Sequence, residues 1–431
     1  MKISPMEAWI KDKIAGVSIK DWQLNQLNQT LELAQNSPFY RETLPVKELA
    51  SLDDIQALPF LTCDDLVKQE KRLLCVNQKE IDRIVTLDTS GSTGAPKRVY
   101  FTKEDQELTM DFFDRGMLTL VNPQETMAVL LPCLREGGVG DLICRAIRRI
   151  PVEPVAHGMI KSLEETLQMF IETGAQTLVG IPIEVLTLAR YSALRGKKTN
   201  LRSVLLSTDY VPQVLIRELN RLCGWEVYGH YGMTEMGLGS AIDCDAHLGY
   251  HMREADLYFE IIDPVSGKNL PDGQYGEVVF TTLTRKGMPL IRYRTGDISR
   301  LLPGKCPCGA DLRRLETIKG RFEDLVCLYE GAYISMPELS EVILALPQVM
   351  DFVADIDNMN YMNNIGKKIL LSLEVATFVQ MPKLQEKEVI AALQAIPALN
   401  NEDKLKIEVH INQYEDFTPL YRSKRLIKRS I

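Results

Sequence analysis

A chain of 431 residues is too long for one small core, and at roughly 150 residues per domain it predicts two or three units. Its 45% hydrophobic and 25% charged content is that of an ordinary globular protein. A net charge of -8 argues against nucleic acid or an anionic membrane as the main partner.

The chain opens Met-Lys-Ile-Ser-Pro-Met-Glu-Ala-Trp, without the apolar stretch of a signal peptide, and no later apolar run approaches a membrane span. A cytoplasmic location is expected. Nine scattered cysteines, an odd number, read as reduced thiols rather than a disulfide framework. Residues 1 to about 80 read as mainly helical, interrupted by turn signals at Asn36-Ser37-Pro38 and Leu58-Pro59. From about residue 84 the pattern alternates. Strand-like runs (Met127–Leu131, Thr177–Val179, Ser203–Leu206, Glu226–Tyr228) are separated by helical ones (Thr102–Leu118, Leu142–Ile150, Leu163–Thr173, Val214–Cys223). Repeated strand-helix alternation predicts an α/β fold with a mostly parallel sheet flanked by helices. After Gly249, the runs Tyr258–Asp263 and Tyr275–Thr282 predict antiparallel strands joined by Pro/Gly turns. Beyond about residue 323 the order is β, α (Met336–Leu346), β (Met350–Asp357), β (Lys368–Thr377), α (Glu386–Ile396), β (Lys404–Asn412), which predicts a small separate α+β domain. The charge-dense stretch Arg422–Arg429 closes the chain.

Five short stretches carry chemistry. Thr89-Ser90-Gly91-Ser92-Thr93-Gly94-Ala95-Pro96-Lys97 follows a strand-like run, Ile84–Leu87. Its glycines let successive amides turn towards one anion, its hydroxyls add donors, and Lys97 adds a positive charge, so the loop suits a polyphosphate. It lacks the Gly-Lys-Ser/Thr ending of a P-loop, and the plain alternative is a Ser/Gly linker. The others are Tyr231-Gly232-Met233-Thr234-Glu235, Tyr293-Arg294-Thr295-Gly296-Asp297, Gly320-Arg321-Phe322-Glu323-Asp324 and Ser423-Lys424-Arg425. Taken singly, each of these reads as an ordinary turn or a basic tail.

Together and in this order, they resemble the adenylate-forming (AMP-binding) superfamily, and within it the phenylacetate–coenzyme A ligase-like branch, over roughly residues 35 to 431. The resemblance implies a large N-terminal domain (1–322) binding ATP and an acid, and a small mobile C-terminal lid domain (323–431) with Glu323 at the hinge. It implies nucleotide contacts from Thr89, Ser90, Gly91, Ser92, Thr93, Gly94 and Lys97. Further contacts are expected from Thr208, Asp209, Tyr210, His230, Tyr231, Gly232, Met233 and Thr234, and from Asp297 on the ribose and Arg321. Glu235 would hold Mg²⁺, a hard carboxylate for a hard cation. Thr234, Glu235 and Lys424 would be catalytic, Lys424 offsetting charge between the acid and the α-phosphate. Two departures stand out. Glu323 replaces the usual hinge Asp, and Thr208-Asp209-Tyr210 falls where relatives carry a Gly-rich turn and a Glu.

Cys244-Asp245-Ala246-His247 and Cys306-Pro307-Cys308-Gly309 predict a structural zinc site of Cys244, His247, Cys306 and Cys308. His251 is the rival histidine, since relatives carry a histidine after Gly and an apolar residue. The alternative is four reduced, metal-free side chains. Gly137, Gly138, Val139 and Tyr228 are candidates for the acid pocket.

The function expected is ATP-dependent activation of a carboxylic acid, aryl or arylacetic from the branch, to an acyl-adenylate, then transfer to coenzyme A. The alternative acceptors are a carrier protein or a deazaflavin hydroxyl. The partners expected are the acid, ATP and coenzyme A, with no nucleic acid and no membrane. Oligomeric state is left open, a homodimer included.

Overall fold

The computed structural model describes residues 4–87, 96–357, 368–417, 419–420 and 425–430. The chain folds as two units, each assembled from segments distant in sequence.

The first unit comprises Met1–Pro123, Cys133–Val152 and Tyr228–Lys319. Its N-terminal helices, Pro5–Ile14, Ile19–Ala34 and Pro38–Thr43, each start at a serine. Ser4, Ser18 and Ser37 accept a hydrogen bond from the amide three residues on, satisfying one of the orphan donors of a helix start. The second helix buries Leu27, Leu31 and Ala34 in a core shared with Leu257, Phe259, Ile261, Val278 and Phe280. Those last five belong to antiparallel strands, Leu257–Ile262 against Gly276–Thr282, which pairs in turn with Tyr293–Ser299. Every residue of the central strand is buried, so its sequence shows no in/out alternation. Ile81–Leu87 and Lys97–Thr102 form an antiparallel pair in which Leu87 faces Lys97.

The helix predicted from Leu142 begins earlier, at Val139, with Gly138 as N-cap. Glycine is accepted at an N-cap, which is why the two glycines did not mark a break. Val139 is therefore a first-turn helical residue.

The second unit comprises Gln124–Pro132, Glu153–Val227 and Gly320–Ile431. Its strands Ser203–Leu206, Thr177–Gly180, Thr126–Leu130 and Glu153–Ala156 lie side by side in that order, all parallel. This is the parallel α/β arrangement expected. Glu153–Ala156 contains Pro154 and lies at an edge, where a missing N–H is tolerated. Helices Leu163–Thr173, Pro182–Arg195 and Gln213–Cys223 each end at a glycine with positive φ: Gly174 (62°), Gly196 (62°) and Gly224 (69°).

The C-terminal stretch of this unit holds the helices Met336–Ile343 and Glu386–Leu393 and a sheet ordered Leu405–Tyr414, Ile369–Phe378, Val349–Asp357, Lys428–Ser430. The charge-dense end of the chain contributes a strand. Lys428–Ser430 pairs parallel with Asp355–Asp357. Arg425 is buried, donates to Asp351 at 2.6 Å and stacks on Phe352 at 4.5 Å.

Hydrogen bonds at helix ends join this stretch to the rest of its unit. Glu341 accepts from the amides of Gln213 (2.5 Å) and Val214 (2.9 Å), capping a helix whose own N-cap, Pro212, has no side-chain acceptor. Asp416 accepts from Leu163 N at 2.9 Å. In return Arg190 donates to the carbonyls of Leu344 (2.6 Å) and Val349, and Thr187 Oγ1 to Met350 O at 2.8 Å. Among the described residues, no helix is long and apolar enough to cross a membrane.

Candidate functional site

In the first unit, three sequence-distant motifs meet. Strand Lys97–Thr102 contributes Lys97, the short 3₁₀ turn Thr234–Met236 contributes Glu235, and strand Tyr293–Ser299 contributes Tyr293. Lys97 is ion-paired with the buried Glu235, whose Oε1 also accepts from the Tyr293 hydroxyl at 3.3 Å. Burial, reinforced by the Glu235 charge, pushes the Tyr293 hydroxyl well up from its ordinary pKa, so it stays a donor. The turn can fold this tightly because of Gly232. A Cβ there would lie 2.2 Å from the Leu238 carbonyl oxygen.

The same unit holds a second buried cation. Arg285 is buried, stacks on Phe101 at 4.9 Å, and leaves its Nη1 without a hydrogen-bond partner among the described residues. Burial lowers its pKa to about 10, countered in part by Asp105 and Glu235. Nothing in Thr284-Arg285-Lys286 marks a buried arginine, and the sequence analysis did not single it out.

Asp297 is set by a bulge. Val279 faces Arg294, yet Glu277 faces Ile298, so the Tyr293–Ser299 strand carries extra residues between these pairs. Gly296 takes φ 75° there, its amide held by Glu277 at 3.1 Å. The Asp297 amide donates to Thr295 Oγ1 (3.0 Å), and Asp297 Oδ2 accepts from the Tyr231 hydroxyl at 2.7 Å. Both side chains are buried. A carboxylate, a phenol ring, a buried acid and a lysine thus share one unit, a set suited to a sugar, a base, a divalent cation and phosphates.

Other expected residues fall as follows. His230 precedes Tyr231 on its strand, and burial pulls its pKa down to about 4, so it is neutral. Gly232, Met233 and Thr234 are half-buried. Thr208, Asp209 and Tyr210 belong to the second unit. Thr208 takes φ 76°, the left-handed backbone a glycine would take, and Asp209 Oδ1 accepts from Tyr210 N at 2.8 Å. Burial, with Glu341 beside it, pushes the Tyr210 hydroxyl up to about 12. Arg321 closes the short strand Gly320–Arg321, and Glu323 is exposed in the 3₁₀ turn Phe322–Asp324. Gly137 (φ 67°) donates to Asp141 at 2.9 Å, and a Cβ on it would meet Gln106 Oε1 at 2.9 Å. Gly138 and Val139 open the adjoining helix. The Tyr228 hydroxyl donates to Asp245 at 3.1 Å. Thr89, Ser90, Gly91, Ser92, Thr93, Gly94 and Lys424 lie outside the described residues.

The cysteine cluster forms with a changed histidine. Cys244, His251, Cys306 and Cys308 place their ligand atoms all within 4.8 Å of one another. His247 is not among them. It sits at φ 48°, bonds Asp243 through Nδ1 at 2.8 Å, and faces the Tyr228 ring at 5.0 Å. The reason is register: His251 lies on strand Tyr250–Met252, paired directly with Arg314 just beyond the second cysteine pair, whereas His247 occupies the turn before that strand. Cys244 Sγ lies 3.6 Å from Cys306 Sγ, and His251 Nε2 3.3 Å from Cys308 Sγ. Tetrahedral zinc, with bonds of about 2.3 Å to sulfur and 2.0 Å to nitrogen, sets neighbouring ligands about 3.5–3.8 Å apart, so the donor set fits. Burial raises the Cys244 thiol and lowers His251 to about 4, which keeps the imidazole unprotonated and able to ligate.

The family described as AMP-binding enzyme matches residues 29–283. The chain is 27% identical to the phenylacetate-coenzyme A ligase of Aromatoleum evansii, over 86% of this chain and 85% of that protein. It is 25% identical to the Escherichia coli K12 enzyme of the same name, over 89% and 88%. Among solved structures, 2-hydroxyisobutyryl-CoA ligase in complex with 2-HIB-AMP shares the fold, with a TM-score of 0.76, 19% identity, and coverage of 93% of this chain and 88% of that one.

Proposed function

Because the chain belongs to the AMP-binding enzyme family, we propose that it is an AMP-forming acid–thiol ligase that adenylates an aryl or arylacetic acid and passes the acyl group to coenzyme A. The observation that carries this reading is the meeting of Lys97, Glu235 and Tyr293, with the Tyr231–Asp297 pair in the same unit. Family membership supports adenylate chemistry. The phenylacetate-coenzyme A ligases to which the chain is similar support the acid class and the thiol acceptor.

In this reading the residues act by alignment and charge rather than covalently. Asp297 accepts the ribose hydroxyls, and the Tyr231 ring packs on the base. Thr89–Lys97 holds the outer phosphates. Thr234 and Lys424 stand at the α-phosphate, where the acid carboxylate attacks and pyrophosphate leaves. Glu235 is the carboxylate that would hold Mg²⁺, which supplies charge neutralisation to the phosphates. Residues 323–431 then turn about Glu323, withdrawing Lys424, and the coenzyme A thiol displaces AMP from the acyl carbon. The acid lies near Gly137, Gly138, Val139 and Tyr228. A structural zinc ion on Cys244, His251, Cys306 and Cys308 would pin the two loops that carry these residues.

The test is acid-dependent ATP–pyrophosphate exchange over aryl, arylacetic and short aliphatic acids, beside Lys424→Ala, with thioester formation followed on adding coenzyme A. Exchange with one acid class, lost in the variant, and thioester on coenzyme A addition are expected. No exchange with any acid despite ATP binding would refute the adenylation step. Adenylate that builds up without thioester would move the acceptor to a carrier protein or a deazaflavin hydroxyl.

A further inference from the structure

We propose that Arg285 is a positioning residue for adenylation: its buried charge holds the turn that carries Thr234 and Glu235 against the strand that carries Lys97. The inference rests on the nucleotide-site reading above and adds to it a residue outside the five motifs.

The loop around Arg285 is tied down on both sides. Before it, the Thr284 hydroxyl donates to the Asp256 carboxylate at 2.7 Å and the Leu283 amide to the Asp256 carbonyl at 2.8 Å. After it, the amides of Lys286 (2.8 Å) and Gly287 (3.0 Å) donate to the Asp105 carboxylate, which also accepts from Thr102 N at 3.0 Å. Between these anchors Arg285 is only 6% exposed. Its guanidinium lies 4.9 Å from the ring centre of Phe101, a residue of the strand that begins at Lys97. Nη2 approaches Gly237, where a Cβ would lie 3.5 Å from it. Gly237 closes the turn Thr234–Met236: its amide donates to Thr234 O and its carbonyl accepts from Thr109 Oγ1, both at 3.0 Å. One side chain therefore touches both the strand and the turn.

An aliphatic side chain would fill this space at less cost, because a buried guanidinium with an unmatched N–H is expensive. Burial works against the charge, and Asp105, then Glu235, support it. Arg253, the cation that opposes it, is matched by Asp256 at 2.7 Å. Lys97 cannot do the holding. It pairs with Glu235 here, yet in the reading above it serves the phosphates, so the turn needs a cation that stays in place when ATP binds. Arg285, buried and anchored on both sides, is that cation.

The experiment compares wild type with Arg285→Met, Arg285→Lys and Phe101→Leu by acid-dependent pyrophosphate exchange and by equilibrium binding of ATP, with urea unfolding as the check on folding. Arg285→Met keeps most of the volume and should lower exchange kcat between about ten- and a hundred-fold, the scale on which a displaced site residue is felt, while ATP affinity changes less than about three-fold. Arg285→Lys keeps a charge over the ring and should recover most of the loss. A folded Arg285→Met with wild-type kcat, a lysine variant no better than the methionine one, or equal loss of kcat and ATP affinity would overturn the proposal, because a space-filling role does not ask for a charge. If Arg285→Met does not fold, Phe101→Leu decides. Without the ring beneath the guanidinium kcat should fall about three-fold with ATP affinity held, and an unchanged kcat overturns the proposal. Wild type that exchanges with no acid overturns the adenylation reading beneath it, and the proposal with it.

Discussion

Replacing Arg425 by Met should destabilise the second unit by about 3 kcal/mol, the lower end of what breaking a buried ion pair costs. Arg425 and Asp351 expose 5% and 0% of their side chains and meet at 2.6 Å. Without the guanidinium, Asp351 keeps, among the described residues, the amides of Leu420 (3.1 Å) and Phe352 (2.7 Å), and burial already pushes its carboxyl pKa upward. The stacking of the guanidinium on Phe352, worth about 1 kcal/mol, is lost as well, while the methionine refills most of the volume. Asp351→Asn should cost a similar amount, because it leaves the arginine buried without its counter-charge. The double variant should cost less than the sum, with a coupling energy of about 2 kcal/mol. Urea unfolding of the full chain followed by circular dichroism measures all four corners of the cycle. Additivity within about 0.5 kcal/mol would refute the reasoning, since it would mean the two charges do not sense each other. The same variant carries a functional readout. Lys424 immediately precedes Arg425, so in the proposed mechanism Arg425→Met should slow acid-dependent exchange more than it weakens ATP binding.

Two further outcomes are expected. Purified protein should carry about one zinc per chain by elemental analysis, lost in His251→Ala and retained in His247→Ala; the reverse pattern would restore the histidine expected from the sequence. Burial raises the Glu184 carboxyl to about 7, and its Oε2 has no hydrogen-bond partner among the described residues. The native state therefore holds a proton that the unfolded chain releases near pH 4.5, and stability must fall as pH rises between those values. Relative to Glu184→Gln, the wild-type protein should lose about 2 kcal/mol between pH 5.5 and pH 8 in urea titrations, and a pH-independent difference would contradict this.

What could be read in advance follows from where the signal is local. The parallel strands and their helices were legible because Ser203–Leu206 and Thr177–Gly180 are short apolar runs between amphipathic stretches. The Pro182–Arg195 helix was not, because it is buried without a break from Pro182 to Ser192 and so shows no polar face. Tyr231, Glu235 and Asp297 were expected from their motifs. What the motifs did not contain was the bond between Tyr231 and Asp297, which depends on a bulge whose length only the strand pairing reveals. Likewise, two histidines four residues apart are equivalent on paper. Strand register decides between His247 and His251. Arg285 left no trace, since a buried arginine and a solvated one have the same letter.

The caps supplied by Glu341 and Asp416 have a consequence for motion. They neutralise the positive ends of two helices that begin more than a hundred residues earlier in the chain. Any movement that carries these carboxylates away hands the amides of Gln213, Val214 and Leu163 to the solvent, and dissolved anions then compete for the same places. In the proposed lid movement higher salt should then favour release, and turnover should carry an ionic-strength dependence that originates at these helix ends.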